Sequence, residues 1–228
     1  MKIGIIGAMA EEVKLLTEIL TDKEVFTEGG ATFYHGYYHQ HEIYLVQSGI
    51  GKVAASVTAT LLVAKYQVEQ LWNTGSAGGI GQGLQIGDIV IADKLAYHDV
   101  DVTAFGYDYG QMAGGFPLYY ETNQHLVQKV QQLPTNLTFH VGLIVSGDQF
   151  VASAEQIQRI KTAFPEALAN EMESTAIAQV AYQFKTPLLI VRAISDTADS
   201  HANVDFDQFI IDAGRKSAEM IQTLLNNL

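Results

Sequence analysis

Cysteine is absent from this chain of 228 residues. Its absence excludes disulfide bonds, thiolate nucleophiles and metal sites that depend on cysteine ligands. The sequence also lacks any apolar run near the roughly 20 residues that a helix needs to cross a bilayer. The first residues, MKIGIIGAMAEEV, reach two glutamates too early for a signal peptide. We therefore expect a cytoplasmic protein that does not enter or bind a membrane.

Basic residues are scarce as well. Lysine and arginine together number 13 against 25 aspartates and glutamates, which gives a formal net charge of -12. Nucleic acids and anionic membrane surfaces are bound by basic faces, so this charge argues against both as partners. Only 4 prolines are present, and no repeat or low-complexity tract interrupts the chain. We expect a single domain over residues 1–228 with a sizeable core.

Short apolar runs that end in glycine alternate with segments of helical spacing. KIGIIGA is typical of a buried first strand, and AEEVKLLTEIL, which follows it, is typical of an amphipathic helix. The same order recurs where EIYLVQSGIG precedes KVAASVTATLLVAKY, and further on DIVIADKLAYHDVDV predicts a long strand. This alternation predicts an α/β sandwich around a mixed or mainly parallel sheet. It places Glu12 at the start of a helix just beyond a strand, where open α/β sheets keep their sites.

Two carboxylates lie in the otherwise small and apolar stretch ALANEMESTAIA. Burying Glu171 or Glu173 in ionised form is costly unless each is paired or hydrogen-bonded. They therefore either face outward or meet a polar group inside. A second signal is VRAISDTAD, where an apolar run leads into Arg192, Ser195 and Asp196. An arginine there needs an anionic partner, and the aspartate is placed either to act on a ligand or to form a structural pair with Arg192.

Three further motifs leave alternatives open. NTGSAGG, residues 73–79, predicts a turn after a strand, either for close approach of a ligand near Ser76 or only for a positive φ. The histidines of YHGYYHQHE do not match the HExxH pattern, and a solvated hairpin is the preferred interpretation over a metal site. YHDVDVTAFGYDYG combines His98 with acids and aromatic residues, and we interpret it as a polar loop rather than a metal site.

Seven motifs occur in a characteristic order. They are GIIGAMAEEV, SGIGKVAA, NTGSAGG, DVTAFGY, VSGDQF, NEMESTAIA and VRAISD. Together they make the chain resemble the 5′-methylthioadenosine/S-adenosylhomocysteine nucleosidases, within the nucleoside phosphorylase superfamily, from Met1 to the final helix. The resemblance implies a three-layer α/β/α sandwich around a mixed central sheet, a homodimer, and no metal or organic cofactor. It also implies hydrolysis that releases adenine from a 5′-thio-substituted ribose, or from 5′-deoxyadenosine, in methionine salvage.

The resemblance also assigns catalytic roles residue by residue. Asp196 matches the general acid that protonates the adenine ring, and Glu12 matches the base that deprotonates the attacking water. Glu173 matches the group that binds the ribose hydroxyls, with Met172 as an apolar wall beside it. Ser195 would orient Asp196. An acid and a base on opposite sides of the scissile bond suit attack by water, as in inverting glycosidases.

The remaining matches describe a nucleoside-binding pocket. The adenine would meet Phe150 and Val151 and a floor of Ser76, Ala77 and Gly78. Arg192 would neutralise Glu12 through a shared water. Residues around the sugar and thioether would be Met9, Ile50 and Phe206. Residues reaching in from the partner subunit would be Val102 and Phe105.

The main alternative is a phosphorylase of the same superfamily, which uses phosphate instead of water. The chain has only three arginines, Arg159, Arg192 and Arg215, and none lies in the N-terminal loops. Those loops offer Glu11 and Glu12, and carboxylates repel a bound phosphate. We therefore favour a hydrolase. A nucleoside-binding protein without activity is a second alternative, but a binder does not need an acid and a base on opposite faces.

Overall fold

The computed structural model describes the backbone of residues 1–197 and 202–228 and the side chains of residues 1–197 and 209–228. The strands are β1 (Lys2–Gly7), β2 (Thr21–Glu28), β3 (Ala31–Tyr38), β4 (His41–Gln47), β5 (Gln70–Gly79), β6 (Ile89–Tyr97), β7 (Tyr120–Glu121), β8 (Phe139–Ser146), β9 (Ala167–Glu171) and β10 (Leu188–Asp196). The helices are α1 (Ala10–Ile19), α2 (Lys52–Thr60), α3 (Gln124–Gln131), α4 (Ala154–Ala163), α5 (Ser174–Phe184) and α6 (Ala202–Leu225). A π-helical segment, Leu61–Lys65, extends α2, and a 3-10 helix spans Thr103–Phe105.

All the described strands belong to one mixed sheet. Their order is β10-β6-β8-β9-β5-β1-β4-β3-β2, with β7 beside β6. The central strand β1 is parallel to both β4 and β5, whereas β10 is antiparallel to β6 and β9 is antiparallel to β5. Strand β10 also pairs with β5, so that β5, β10, β6, β8 and β9 form a closed ring. The prediction of a mixed sheet is confirmed.

Helices cover both faces of the sheet. One face packs against α1, α3 and α6, in a core that includes Ile3, Leu16, Trp72, Leu126 and Ile221. The other face packs against α2 and α5, in a core that includes Ile6, Ala59, Leu62, Ile177 and Ile190. Strands covered on both faces read as continuous apolar runs, which is why KIGIIGA and PLLIV carry no polar alternation. The three-layer α/β/α arrangement is confirmed.

The sheet ends in an antiparallel meander of β2, β3 and β4. The turn between β3 and β4 consists of His39 and Gln40, with His39 in the left-handed region at φ 52°. The predicted hairpin in YHGYYHQHE is therefore confirmed. Its histidines are not all solvated, because His41 pairs opposite Tyr38 and is only 4% exposed.

Two sequence expectations about where strands end are wrong. NTGSAGG is not a turn, because β5 continues to Gly79 with its end hydrogen-bonded between β10 and β9. The strand predicted over DIVIADKLAYHDVDV ends at Tyr97 instead of running through the whole stretch. Asp101 Oδ1 accepts the Thr103 N–H at 3.0 Å and turns the chain there. No helix in the described part of the chain has the length and apolarity to cross a membrane.

Candidate active site

A cavity of about 320 Å³ opens at the carboxyl ends of β1, β5, β8, β9 and β10. This edge is where α/β sheets place their ligands. Its lining includes every residue of this chain's own predicted pocket whose side chain the structure describes. These are Met9, Glu12, Ile50, Ser76, Ala77, Gly78, Phe150, Val151, Met172, Glu173, Arg192, Ser195 and Asp196. Phe206 lies in α6, and its side chain is outside the described residues.

Glu12 is buried and its carboxylate is fixed by four hydrogen bonds. It stands in the first turn of α1, so its Oε2 reaches back to the N–H groups of Ala8, at 2.7 Å, and Met9, at 3.1 Å. Its Oε1 accepts the N–H of Ser76 at 2.9 Å and the hydroxyl of Ser76 at 3.0 Å. Donors from the ends of β1 and β5 therefore fix the Glu12 carboxylate at the cavity. The N-terminus of α1 also favours its negative charge.

Gly75 makes this arrangement sterically possible. A Cβ at position 75 would lie 2.5 Å from Nη1 of Arg192 and 2.7 Å from Oε1 of Glu12. Both distances are far inside van der Waals contact, and neither side chain is free to move away in a packed interior. Gly75 of NTGSAGG thus lets the side chains of Arg192 and Glu12 approach the backbone of β5 closely. The sequence interpretation had placed this glycine in a turn.

Arg192 is the buried cation that meets the acids of ALANEMESTAIA. It is 1% exposed, and its Nη2 donates to Glu171 Oε2 at 2.5 Å, to Asn73 Oδ1 at 2.7 Å and to Glu173 Oε2 at 3.4 Å. Its Nη1 donates to the carbonyl oxygen of Ser76 at 3.2 Å. A guanidinium held on several sides is a fixed charge, as a buried ion pair requires. The expected water-mediated link from Arg192 to Glu12 stays a prediction.

Glu171 is saturated inside the protein. Its Oε2 accepts the N–H groups of Glu173, at 3.0 Å, and Ser174, at 2.9 Å, in addition to Arg192. Its Oε1 accepts the hydroxyl of Ser146. These contacts anchor the start of α5 and neutralise the arginine. Glu171 thus has a structural role, a point that the sequence left open.

Glu173 is buried as well but has fewer partners. Its Oε1 accepts the N–H of Gly51 at 2.9 Å, and its Oε2 meets Arg192 at 3.4 Å. Burial is the largest cause of a raised pKa at Glu173, and the negative charge of Glu171 is the second. Together they raise the pKa of Glu173 to about 8. The remaining acceptor capacity of this carboxyl group faces the cavity, where a ligand with hydroxyl groups can use it.

Asp196 is the last residue of β10 and lines the same cavity as Glu12. It is 2% exposed, and Ser195 Oγ donates to its Oδ2 at 2.9 Å. The register of β10 on β5 shifts between Ile194 and Asp196, which is a local irregularity of the kind that re-aims side chains at functional sites. Ser195 therefore contacts the carboxyl group that it is predicted to orient, and the orienting role stays a prediction.

The entrance to the cavity is apolar and partly open. Ile50 is 57% exposed and Phe150 is 42% exposed, whereas Val151 is buried. Exposed aromatic and aliphatic side chains at a cavity mouth suit an apolar ligand group or a covering surface. Val102 and Phe105 do not line the cavity of their own chain. Val102 is the N-cap of the 3-10 helix, and Phe105, its last residue, is 81% exposed.

The cavity lining also contains Glu171, whose role the sequence left open, and three residues that sequence reasoning missed: Ala8, Gln149 and Asn170. Ala8 contributes through its backbone N–H to Glu12, which no side-chain pattern reveals. Asn170 donates from Nδ2 to the carbonyl oxygen of Gly78 at 3.1 Å. Gln149 and Asn170 belong to VSGDQF and NEMESTAIA, so their place in those motifs was the available signal. Within the described residues no cluster of three or more His, Asp or Glu side chains is arranged to hold a metal ion.

The fold and the cavity define the class of protein. The family model described as "Phosphorylase superfamily" matches residues 2–226, nearly the whole chain. A mixed sheet between two layers of helices, with buried acids at the carboxyl ends of its strands, is the corresponding architecture here.

Individual relatives narrow the class. A 5′-methylthioadenosine/S-adenosylhomocysteine nucleosidase of Staphylococcus aureus (strain bovine RF122 / ET3-1) is 46% identical over 228 residues, covering 99% of this chain and 100% of the relative. The solved structure of S-adenosylhomocysteine nucleosidase from Streptococcus pyogenes, in complex with 5-methylthiotubericidin, is 50% identical, with a TM-score of 0.95 over 100% of this chain and 97% of that one. The Streptococcus pneumoniae enzyme in complex with 8-aminoadenine gives 50% identity and a TM-score of 0.96, with 100% of both chains covered. This chain belongs to the family of 5′-methylthioadenosine/S-adenosylhomocysteine nucleosidases.

Proposed function

We propose that the chain hydrolyses the N-glycosidic bond of 5′-methylthioadenosine and S-adenosylhomocysteine, and also of 5′-deoxyadenosine. The products are adenine and the corresponding ribose, 5-thio-substituted for the first two substrates. The 46% identity to a nucleosidase over the whole chain supports this activity. So does a cavity that brings Glu12, Glu173 and Asp196 together.

One observation favours water over phosphate as the nucleophile: no arginine of the described chain is free to bind a phosphate. Arg192 is enclosed by Glu171, Glu173 and Asn73. Arg159 pairs with Glu155 on the surface of α4, and Arg215 pairs with acids of its own helix. Phosphate pockets favour forked guanidinium donors, and this cavity instead presents carboxyl groups.

The chemistry follows from where the acids stand. The oxygen of a water attacks the anomeric carbon while the C–N bond electrons pass to adenine, and Asp196 delivers its proton to a ring nitrogen so that adenine leaves as a neutral base. Glu12 takes the proton that the water loses. Positive charge develops on the sugar ring in the transition state, and the carboxyl groups around it stabilise charge that the ground state does not carry.

Glu12 needs an acceptor position for that proton. Three of its four donors are backbone N–H groups and cannot turn away, whereas the hydroxyl of Ser76 can rotate. We assign Ser76 as the exchangeable partner, which holds Glu12 in place until the water replaces it. Glu173 then holds the ribose hydroxyls, with Met172 beside it.

The chain acts as one nucleosidase domain over residues 1–228 and works as a homodimer, in which Val102 and Phe105 of the partner subunit cover the open end of the cavity. The exposure of Phe105 and Ile50 supports this arrangement. The reaction takes place in the cytoplasm, serves methionine salvage and uses no metal or organic cofactor.

The test is the release of free adenine from 5′-methylthioadenosine, followed by chromatography with and without phosphate. We expect equal rates in both buffers and methylthioribose as the second product. Release only with phosphate, giving a sugar phosphate, would make the protein a phosphorylase. Tight binding without release would make it a nucleoside-binding protein.

A further inference from the structure

The N-terminus of α2 lies beside the cavity and lacks a capping side chain of its own. Its N-cap residue is Gly51, at φ 97°, which an L side chain rarely adopts. The first free N–H, from Gly51, donates to Glu173 Oε1 at 2.9 Å. The next one, from Lys52, donates to Oδ1 of Asp148 at 2.8 Å. A carboxylate from another segment therefore supplies the cap that Gly51 cannot.

Asp148 belongs to the loop that carries Phe150 and Val151, on the predicted adenine side of the cavity. The helix that it caps carries Gly51, on the predicted ribose side. Asp148 thus joins two loops that would hold the two halves of a nucleoside. Its carboxylate is half exposed, so the cap alone is a modest link.

A third acid strengthens the link from a less exposed position. Asp99 Oδ2 accepts the Lys52 ammonium at 2.7 Å and the Asp148 N–H at 2.9 Å. The Lys52 and Asp99 side chains are 23% and 12% exposed, so this pair is shielded much more than an ordinary surface ion pair. Lys52 Nζ also lies 3.7 Å from Oδ2 of Asp148 and 5.2 Å from the centre of the Tyr97 ring.

We propose that Asp148, Lys52 and Asp99 are positioning residues that hold the Gly51 N–H on Glu173 and keep the adenine-side loop in register with the ribose side. The inference rests on the proposed nucleosidase activity. None of the three lines the cavity, so they act through Gly51, Glu173 and the loop at Phe150. The three residues lie in the motifs SGIGKVA, VSGDQF and YHDVDV. The proposed reaction itself gives none of the three residues a role.

The main experiment compares Asp148→Ala with Asp148→Asn in steady-state hydrolysis of 5′-methylthioadenosine across pH. We expect Asp148→Ala to raise KM about five-fold, the scale of a lost helix cap, and to change kcat less than two-fold, because Glu12 and Asp196 are not part of the link. Asparagine keeps an acceptor oxygen for the Lys52 N–H, so Asp148→Asn restores most of the KM.

The pH profile separates positioning from simple loss of stability. An N–H donor favours the ionised form of Glu173, so a looser Gly51 raises the pKa of that carboxyl group. The ionised form of Glu173 is the stronger acceptor for the ribose hydroxyls, so its ionisation contributes to the rising limb of kcat/KM against pH. We therefore expect that limb to move to higher pH in Asp148→Ala. The matched control is Asn123→Ala, which removes the cap of the distant helix α3; it lowers stability and leaves KM and the pH profile unchanged.

Each result has one meaning. An inactive wild-type protein refutes the proposed function and not this inference. An active wild type, with Asp148→Ala showing wild-type KM and pH profile, overturns the inference. If Asp148→Ala does not fold, Lys52→Met decides, because it keeps the cap and loses only the ion pairs; an unchanged KM and profile there also overturn it.

Discussion

Replacing Glu173 by glutamine should make the stability of the unliganded protein less dependent on pH. Four groups face this carboxyl group: the acids Glu171 and Glu12, the cation Arg192 and the Gly51 N–H. Burial is the largest influence, and it raises the pKa from the ordinary value of 4.5 to about 8. The folded protein therefore keeps a proton on this group at pH values where the unfolded chain has lost it.

The sign of the effect follows from proton linkage. Between pH 4.5 and pH 8 the folded state binds more protons at position 173 than the unfolded state, so its free energy of unfolding falls as pH rises. Each pKa unit corresponds to about 1.4 kcal/mol. Across this window the wild-type protein should lose on the order of a few kcal/mol that the neutral Glu173→Gln variant retains.

The assay is urea unfolding at several pH values from 5 to 8.5, for the wild type and Glu173→Gln. Subtracting one curve from the other removes the contribution of the titrating groups that do not interact with position 173. We expect the variant to gain stability relative to the wild type as pH rises. Glu155→Gln, which removes an acid that is 77% exposed, serves as a control for charge loss at the surface. Parallel curves for wild type and Glu173→Gln would refute the reasoning.

Three other predictions concern activity and assembly. Asp196→Asn and Glu12→Gln should each lower turnover by roughly 10²–10⁴-fold while calorimetry still detects nucleoside binding; a near-wild-type rate in either variant would move that role to another residue. Gly75→Ala should lose activity and about 1–3 kcal/mol of stability, measured by hydrolysis rate and denaturant unfolding, because its Cβ would collide with Arg192 and Glu12; normal values would contradict the packing argument. Phe105→Ala should weaken the dimer in light scattering, and an active wild-type monomer would contradict the shared site.

Sequence patterns predicted the parts of the fold that depend on periodicity. The apolar run of β1 and the helical spacing of α1 were sufficient to place Glu12 at the edge of the sheet. The closing of β10 onto both β5 and β6 was not predictable, because pairing between distant strands leaves no mark on local periodicity. For the same reason NTGSAGG read as a turn: glycine gives one local signal whether it bends the chain or makes room for a neighbour.

The site was predictable as a set of residue types but not as a network. The cost of buried charge indicated that the acids of ALANEMESTAIA needed a partner, and Arg192 was the available cation. The division between Glu171 and Glu173 could not be predicted, because both lie in the same apolar context. It depends on the direction in which each side chain leaves the backbone. Glu171 accepts hydrogen bonds from the α5 N-terminus and Arg192, whereas Glu173 accepts one from Gly51. The backbone donors of Ala8 and Met9 carry no residue-type signal at all.

The ring of β5, β10, β6, β8 and β9 has a consequence for how the protein moves. None of these strands has a free edge where hydrogen bonds can peel away one strand at a time, so local opening there requires nearly global unfolding. Amide protons of Val191, Arg192 and Ala193, which pair with both β5 and β6, should exchange with deuterium among the slowest in the chain. Glu171 and Asp196, the two acids of this ring that line the cavity, thus keep their spacing on every time scale shorter than unfolding. The loops at Ile50 and Phe150 are therefore the parts of the site that adjust to ligands of different length.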